Sequence, residues 1–412
     1  MSKSQSDLST RLTAADIQAM ITVAFLTPRD DNPADPDCRW GIPIILWGLP
    51  AVAKSAMIKQ AAAHFQSILR TMLLSGCTPE DFSGIPVAAN NEWGVRSLCQ
   101  VPAIQDILKV GKGVLFLDEL SCARPTVQNA AMSLVYDLII AGMDLPGQVR
   151  IAAAANPPNV VSGAWDLSLP MANRFMHVKA SLTKGEYLDY KRTRKLPKKT
   201  EAFEDLQRKI IEDWEDQNTK VESLILRMIE DSGDELFYNI PAEGNEHRFR
   251  AWPSPRTWDF AINAVTTAEI IHTEAYPTKH LGAEIISSLC GPAAGTRWDS
   301  WSKNLDLPSP RALLEGTAKW KPSRTRLDIN HAAAEAIMSF WRGQSDDKIR
   351  RTYALEIWKI FSMYKDIDAA DTIKRPLREL AAAGFHAKTD NDFNLVAKDL
   401  SLYCGIQDIG AV

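Results

Sequence analysis

The chain has few cysteines, no CxxC pair, no long apolar run and no charge of one dominant sign. Its six cysteines (Cys38, Cys77, Cys99, Cys122, Cys290 and Cys404) are scattered over 412 residues, so neither a zinc knuckle nor a disulfide framework is expected and the thiols read as reduced and mostly buried. The seven histidines are equally dispersed, with no HExxH helix or His/carboxylate cluster to build a metal cage. No stretch offers about 18 continuous apolar residues, and the first residues, MSKSQSDLSTRL, lack the apolar core of a secretory signal. A cytoplasmic protein without a membrane span is predicted. The formal charge of −4 gives no overall pull toward nucleic acid or an anionic membrane. Neither an internal repeat nor a low-complexity tract is found.

The remaining composition is that of a globular chain. Hydrophobic residues make up 45% and charged residues 24%, enough for a sizeable core, and the length predicts two or three domains. Thr13, with Asp16 three residues on, predicts the capping box of an N-terminal helix over TAADIQAMITVAFL. Residues 27–41, rich in Pro and Asp, read as a loop. From there to about residue 180, short apolar runs alternate with helical stretches: PIILW (43–47), TMLL (71–74), VLFL (114–117), VRIAAAA (149–155) and FMHVKA (175–180). Most are apolar without alternation, as in a parallel sheet covered on both faces, so the block reads as an α/β sandwich. After Ala180 the strand-like runs stop and the sequence is helical almost to its end. The basic run KRTRKLPKK (191–199) there is followed by an acidic run that cancels most of its field, and reads as a solvated face. The tryptophans of this half (Trp252, Trp258, Trp298, Trp301, Trp320, Trp341 and Trp358) read as packing anchors between helices.

The chemistry concentrates in five places. Gly48-Leu-Pro-Ala-Val-Ala-Lys54-Ser55 follows the PIILW run and precedes a helical stretch, the strand–loop–helix setting in which backbone N–H groups cradle phosphates. In this pattern the lysine reaches the β/γ phosphates and the hydroxyl binds Mg²⁺. Ala53 stands where the pattern has glycine, and Ala51 is a further alanine. If position 53 needs positive φ, strain of about 1–2 kcal/mol results; the rival reading is a degenerate loop. Asp118 and Glu119 end the VLFL run, which carries an acidic pair to the carboxyl edge of the sheet, one residue to hold Mg²⁺ and one to polarise water. Asn156 comes directly after the next run and is expected on the same edge. Arg174 lies between Asn156 and the last run, which in sequence order also suggests the catalytic edge, and Arg256 comes after Pro255, a residue suited to opening a helix.

The order GLPAVAKS, CTPEDFSGIPV, GVLFLDELSCARPTVQNAAMSLV, AAAANPP, PMANRF and PSPRTW resembles the MoxR family of AAA+ ATPases, close to the bacterial members encoded beside proteins with von Willebrand factor A domains. The likeness is detailed over residues 40–180 and clear again at 250–262, and the runs LGAEIISSLCGPAAGTRW and LDLPSP also look familial. It implies an α/β P-loop AAA+ core over residues 41–180, preceded by an N-terminal helix and loop (1–40) and followed by an all-α lid (181–300) and a C-terminal helical extension (301–412). Gly48, Lys54 and Ser55 match Walker A, with Ala51 and Ala53 as departures. Asp118 and Glu119 match Walker B, Asn156 sensor 1, Arg174 the arginine finger that reaches the neighbouring subunit, and Arg256 sensor 2 on the lid. IIAGMDLPGQVR, with its Pro-Gly turn, matches the hairpin before the sensor-1 strand. ATP and Mg²⁺, a homo-oligomeric hexameric ring, and a von Willebrand-type partner protein that ATP hydrolysis remodels are what the resemblance implies. The rival classes are an ATP-binding scaffold with little hydrolysis and a nucleic-acid-dependent motor, the latter disfavoured by the near-neutral charge.

Overall fold

The structure, a computed structural model, describes residues 12–88, 95–99, 101–158, 160–193, 203–230, 232–243, 245, 248–273, 277–302, 310–344, 346–367 and 369–385. Most of the basic run 191–199 and of the LDLPSP segment lies outside them. The chain divides into two compact units, one comprising residues 1–212 with 234–296 and the other 213–233 with 297–412.

The first unit is built on five parallel strands. β1 (Ile44–Trp47), β2 (Leu69–Leu73), β5 (Gly113–Asp118), β8 (Val149–Ala155) and β9 (Met176–Lys179) are ordered β2-β5-β8-β1-β9. Ile44 pairs with Ala152 on one side and Met176 on the other, and Leu73 pairs with Asp118. Every residue of β1 and β8 is buried, and so is β5 up to its last residue, because helices cover both faces. These are the five apolar runs read from the sequence, and the parallel sheet is the centre of an α/β sandwich, as expected. Two antiparallel hairpins carry no such run: β3 (Ile85–Ala88) with β4 (Val95–Leu98), and β6 (Ile139–Ile140) with β7 (Met143–Asp144). The second hairpin lies in the IIAGMDLPGQVR segment, but its turn is Ala141-Gly142, at φ 52° and 72°. Pro146-Gly147 instead leads into β8, where a Cβ on Gly147 would lie 2.7 Å from the Cys38 carbonyl oxygen.

Helix starts are set by their caps. Thr13 accepts from the Asp16 N–H and Asp16 bonds back to the Thr13 N–H, closing the capping box of the helix Ala14–Leu26. Ser254 and Thr257 do the same for the helix Pro255–Ile270, with Pro255 at its first turn.

In the second unit the helices Pro310–Leu314, Leu327–Gly343, Asp347–Ser362 and Ala370–Ala382 enclose a core with Trp341, Trp358, Phe361 and Tyr364 at its centre. Trp341 Nε1 donates to the Arg350 carbonyl at 3.0 Å and Trp358 Nε1 to that of Phe385 at 3.1 Å, so these tryptophans pack as anchors with their one donor satisfied. Among the described residues no helix is long and apolar enough to cross a membrane.

Candidate functional site: a phosphate loop at one sheet edge and an arginine pair at the other

The carboxyl ends of β1, β5 and β8 bring Gly48, Lys54, Ser55, Asp118, Glu119 and Asn156 to one edge. Gly48 cannot carry a side chain: a Cβ there would lie 2.6 Å from the Ala180 carbonyl oxygen. The loop then turns through two left-handed residues, Ala51 at φ 65° and Ala53 at φ 67°, and the helix Lys54–His64 begins at once. Position 53, which the motif reserves for glycine, is therefore left-handed, as is Ala51, and each methyl is held against its preference at a cost of about 1–2 kcal/mol. Ala53→Gly is expected to raise folded stability by about 0.5–1 kcal/mol, the relieved strain less the extra entropy of glycine in the unfolded chain. Thermal unfolding checks this, and a lower midpoint would show that the loop has adapted to the methyl.

Lys54 is largely buried, and its ammonium donates to the carbonyls of Gly48 (2.8 Å) and Leu49 (3.0 Å) and to Asn156 Oδ1 (2.8 Å). Burial lowers its pKa, while the Asp118 carboxylate acts the other way. Ser55 Oγ donates to Asp118 Oδ2 at 3.2 Å. A hydroxyl and a carboxylate side by side at the start of a helix are hard oxygen donors that fit Mg²⁺ beside a phosphate, so the residues present suit a metal-bound nucleotide. Glu119 itself stands at φ 58°, a strained conformation of the kind found at functional sites. Its carboxylate accepts from Ser75 Oγ at 2.7 Å.

Ser75 and Ser121 were not singled out from the sequence. Ser75 lies just beyond β2, which is β5's neighbour in the sheet, and this brings it to Glu119. Ser121 is fully buried and its Oγ accepts the Asn156 N–H at 3.0 Å, tying the turn after Glu119 to the end of β8.

Arg174 is not on this edge. It precedes β9, and because β9 runs parallel to β1 the residue before it lies at the amino edge, with the strand's four residues spanning roughly 13 Å. Sequence order suggested the catalytic edge; strand direction overturns that. Arg256 is at the same place. Its guanidinium carbon sits 4.5 Å from the centroid of Tyr136 and that of Arg174 5.6 Å from the same centroid. Arg174 Nη1 donates to the Pro170 carbonyl at 2.6 Å, whereas Nε of both arginines is buried with no hydrogen-bond partner among the described residues. Burial and then repulsion from Arg256 lower the Arg174 pKa, with Asp137 and Tyr136 opposing. Two guanidiniums on one ring, with donors to spare, are arranged to meet an anion.

Residues 43–175 match the family model described as AAA domain (dynein-related subfamily), which covers about a third of the chain. Among solved structures, one described as a "putative ATPase" from Cytophaga hutchinsonii is similar over 73% of this chain and 87% of its own, at 16% identity and a TM-score of 0.42. No curated protein matches the chain in sequence. The matched span begins just before β1 and ends just before β9, so it contains the phosphate loop, the acidic pair, Asn156 and Arg174.

Proposed function

We propose that this chain is a MoxR-type AAA+ ATPase that works in the cytoplasm as a homo-oligomeric, hexameric ring. Hydrolysis would drive chaperone-like remodelling of a partner protein, one with a von Willebrand factor A domain fitting the resemblance. The observation that carries this reading is the division of the charged residues between two edges. One edge holds what binds and cleaves a nucleoside triphosphate; the other holds Arg174 and Arg256 without one. A subunit with both is completed by a neighbour.

In the proposed reaction Lys54 and the N–H groups at the start of the helix Lys54–His64 hold the phosphates of ATP. Ser55 and Asp118 would hold Mg²⁺, which would supply charge neutralisation beside those phosphates. Asn156 orients a water, and Glu119 takes its proton as the oxygen bonds to the γ phosphorus and ADP leaves. The neighbour's two arginines stabilise the charge spreading over the transferred phosphoryl group. The strained Ala51 and Ala53 favour one second reading, an ATP-binding scaffold that hydrolyses little.

Lys54→Ala is expected to weaken ATP binding by about 10–100-fold, the scale of one lost charge-assisted contact. A calorimetric titration with unchanged affinity would remove the phosphate-loop assignment.

A further inference from the structure

The strand that ends at the phosphate loop and the segment that carries Arg174 are joined by buried side chains. Trp47, the residue before Gly48, donates from Nε1 to Nδ1 of His177 at 2.9 Å. The other ring nitrogen of His177, Nε2, is 2.8 Å from the carbonyl oxygen of Ala172. A carbonyl only accepts and an indole only donates, so the two partners together fix one neutral tautomer, protonated at Nε2. His177 is only 9% exposed, and burial holds its pKa down at about 3. Arg250, whose guanidinium carbon is 3.6 Å from the Trp47 centroid, adds to that opposition. The imidazole is thus an uncharged strut at neutral pH.

The connection continues from the far side of Ala172. Buried Asn173 donates from Nδ2 to the Trp252 carbonyl at 3.2 Å and accepts from Ser254 Oγ at 2.9 Å. Ser254 caps the helix on which Arg256 is the second residue. Arg174 is the residue after Asn173, so both arginines sit within two residues of this network.

We infer that His177 is a positioning residue for the arginine pair: by holding the Ala172 carbonyl it sets where Arg174 and Arg256 stand, and so acts on the neighbouring subunit's site. This rests on the reading of the arginines as groups supplied to a neighbour. Two facts direct the effect outward. The root of the phosphate loop has main-chain anchors that owe nothing to His177, Ala180 N–H to the Trp47 carbonyl at 2.7 Å and Gly48 N–H to that of Ala155 at 3.2 Å. The Arg174 segment comes after a single helical turn, Leu169–Ala172, whose last carbonyl is 2.8 Å from His177 Nε2, closer than the 3.3 Å bond it accepts from the Phe175 N–H.

The test uses full-length chains in mixed rings. Glu119→Gln subunits can lend arginines but not turn over ATP, and Arg174→Ala subunits the reverse, so the parent mixture regains ATPase activity only across interfaces. His177→Phe is then placed in one partner or the other. In the Glu119→Gln partner it is expected to cut the regained activity about tenfold or more, the scale of a misplaced catalytic group. In the Arg174→Ala partner it is expected to leave that activity and the KM for ATP unchanged. His177→Gln, which keeps one acceptor and one donor, should restore the first arrangement. If His177→Phe does not fold, Trp47→Phe breaks the same chain from its other end and is scored in the same two arrangements. Equal loss in both arrangements, or loss in neither, would overturn the inference. The parent mixture, scored first, separates this from failure of the neighbour reading, which would appear as no regained activity with His177 intact.

Discussion

Arg174→Ala is expected to lower ATP turnover by about 10³-fold or more while leaving ATP affinity nearly unchanged, the scale of arginines supplied in trans to small GTPases. The two halves of that result have separate causes. Affinity persists because Lys54, Ser55 and Asp118 lie at the carboxyl edge of the sheet and Arg174 at the amino edge, so binding in the same subunit does not use it. Turnover falls because a half-buried guanidinium, its Nε unpartnered among the described residues and a second arginine on the same ring, is held ready for an anion, and the substitution removes half of that charge. Steady-state hydrolysis alongside a binding isotherm checks both. A variant that lost binding in proportion to turnover would place Arg174 in its own subunit's site.

Glu119→Gln is expected to reduce turnover by about 10²–10⁴-fold, the usual worth of a positioned general base, again with binding intact. The amide is isosteric and still offers an oxygen to Ser75 Oγ, which now donates to the carboxylate at 2.7 Å. Its backbone, left-handed at φ 58°, is not relieved by glutamine either, so the geometry of the turn should survive. What is lost is the capacity to accept a proton. Single-turnover quench measurements read this directly, and a Glu119→Gln enzyme as fast as the parent would remove the residue from the chemistry.

Much of the sheet's carboxyl edge was legible in the sequence for one physical reason. Strands buried on both faces must be apolar throughout, so β1, β5 and β8 stand out as runs, and in a parallel sheet the residues just past each run fall on one edge. Gly48 to Ser55, Asp118, Glu119 and Asn156 were found that way. Hairpins of two to four residues such as β6–β7 carry no run of their own, and the Pro-Gly pair drew attention away from the Ala141-Gly142 turn actually used. Arg174 was assigned to the wrong edge because chain order says when a residue comes and not which way its strand runs. The meeting of Arg174 with Arg256 on Tyr136 joins segments far apart in the chain and has no local signature. His177 was invisible for a related reason: a lone histidine in an apolar run reads as core, and only its two partners reveal what it holds.

The division of one site between two subunits is tested most directly by mixing the Arg174→Ala and Glu119→Gln chains and measuring ATP hydrolysis across a range of total protein concentrations. Each chain alone is expected to be nearly inactive, and the mixture to regain a substantial fraction of parent activity, rising with concentration as interfaces form between an intact Arg174 and an intact Glu119. Parent activity per subunit that does not depend on concentration, together with a mixture no more active than its components, would mean that each chain completes its own site.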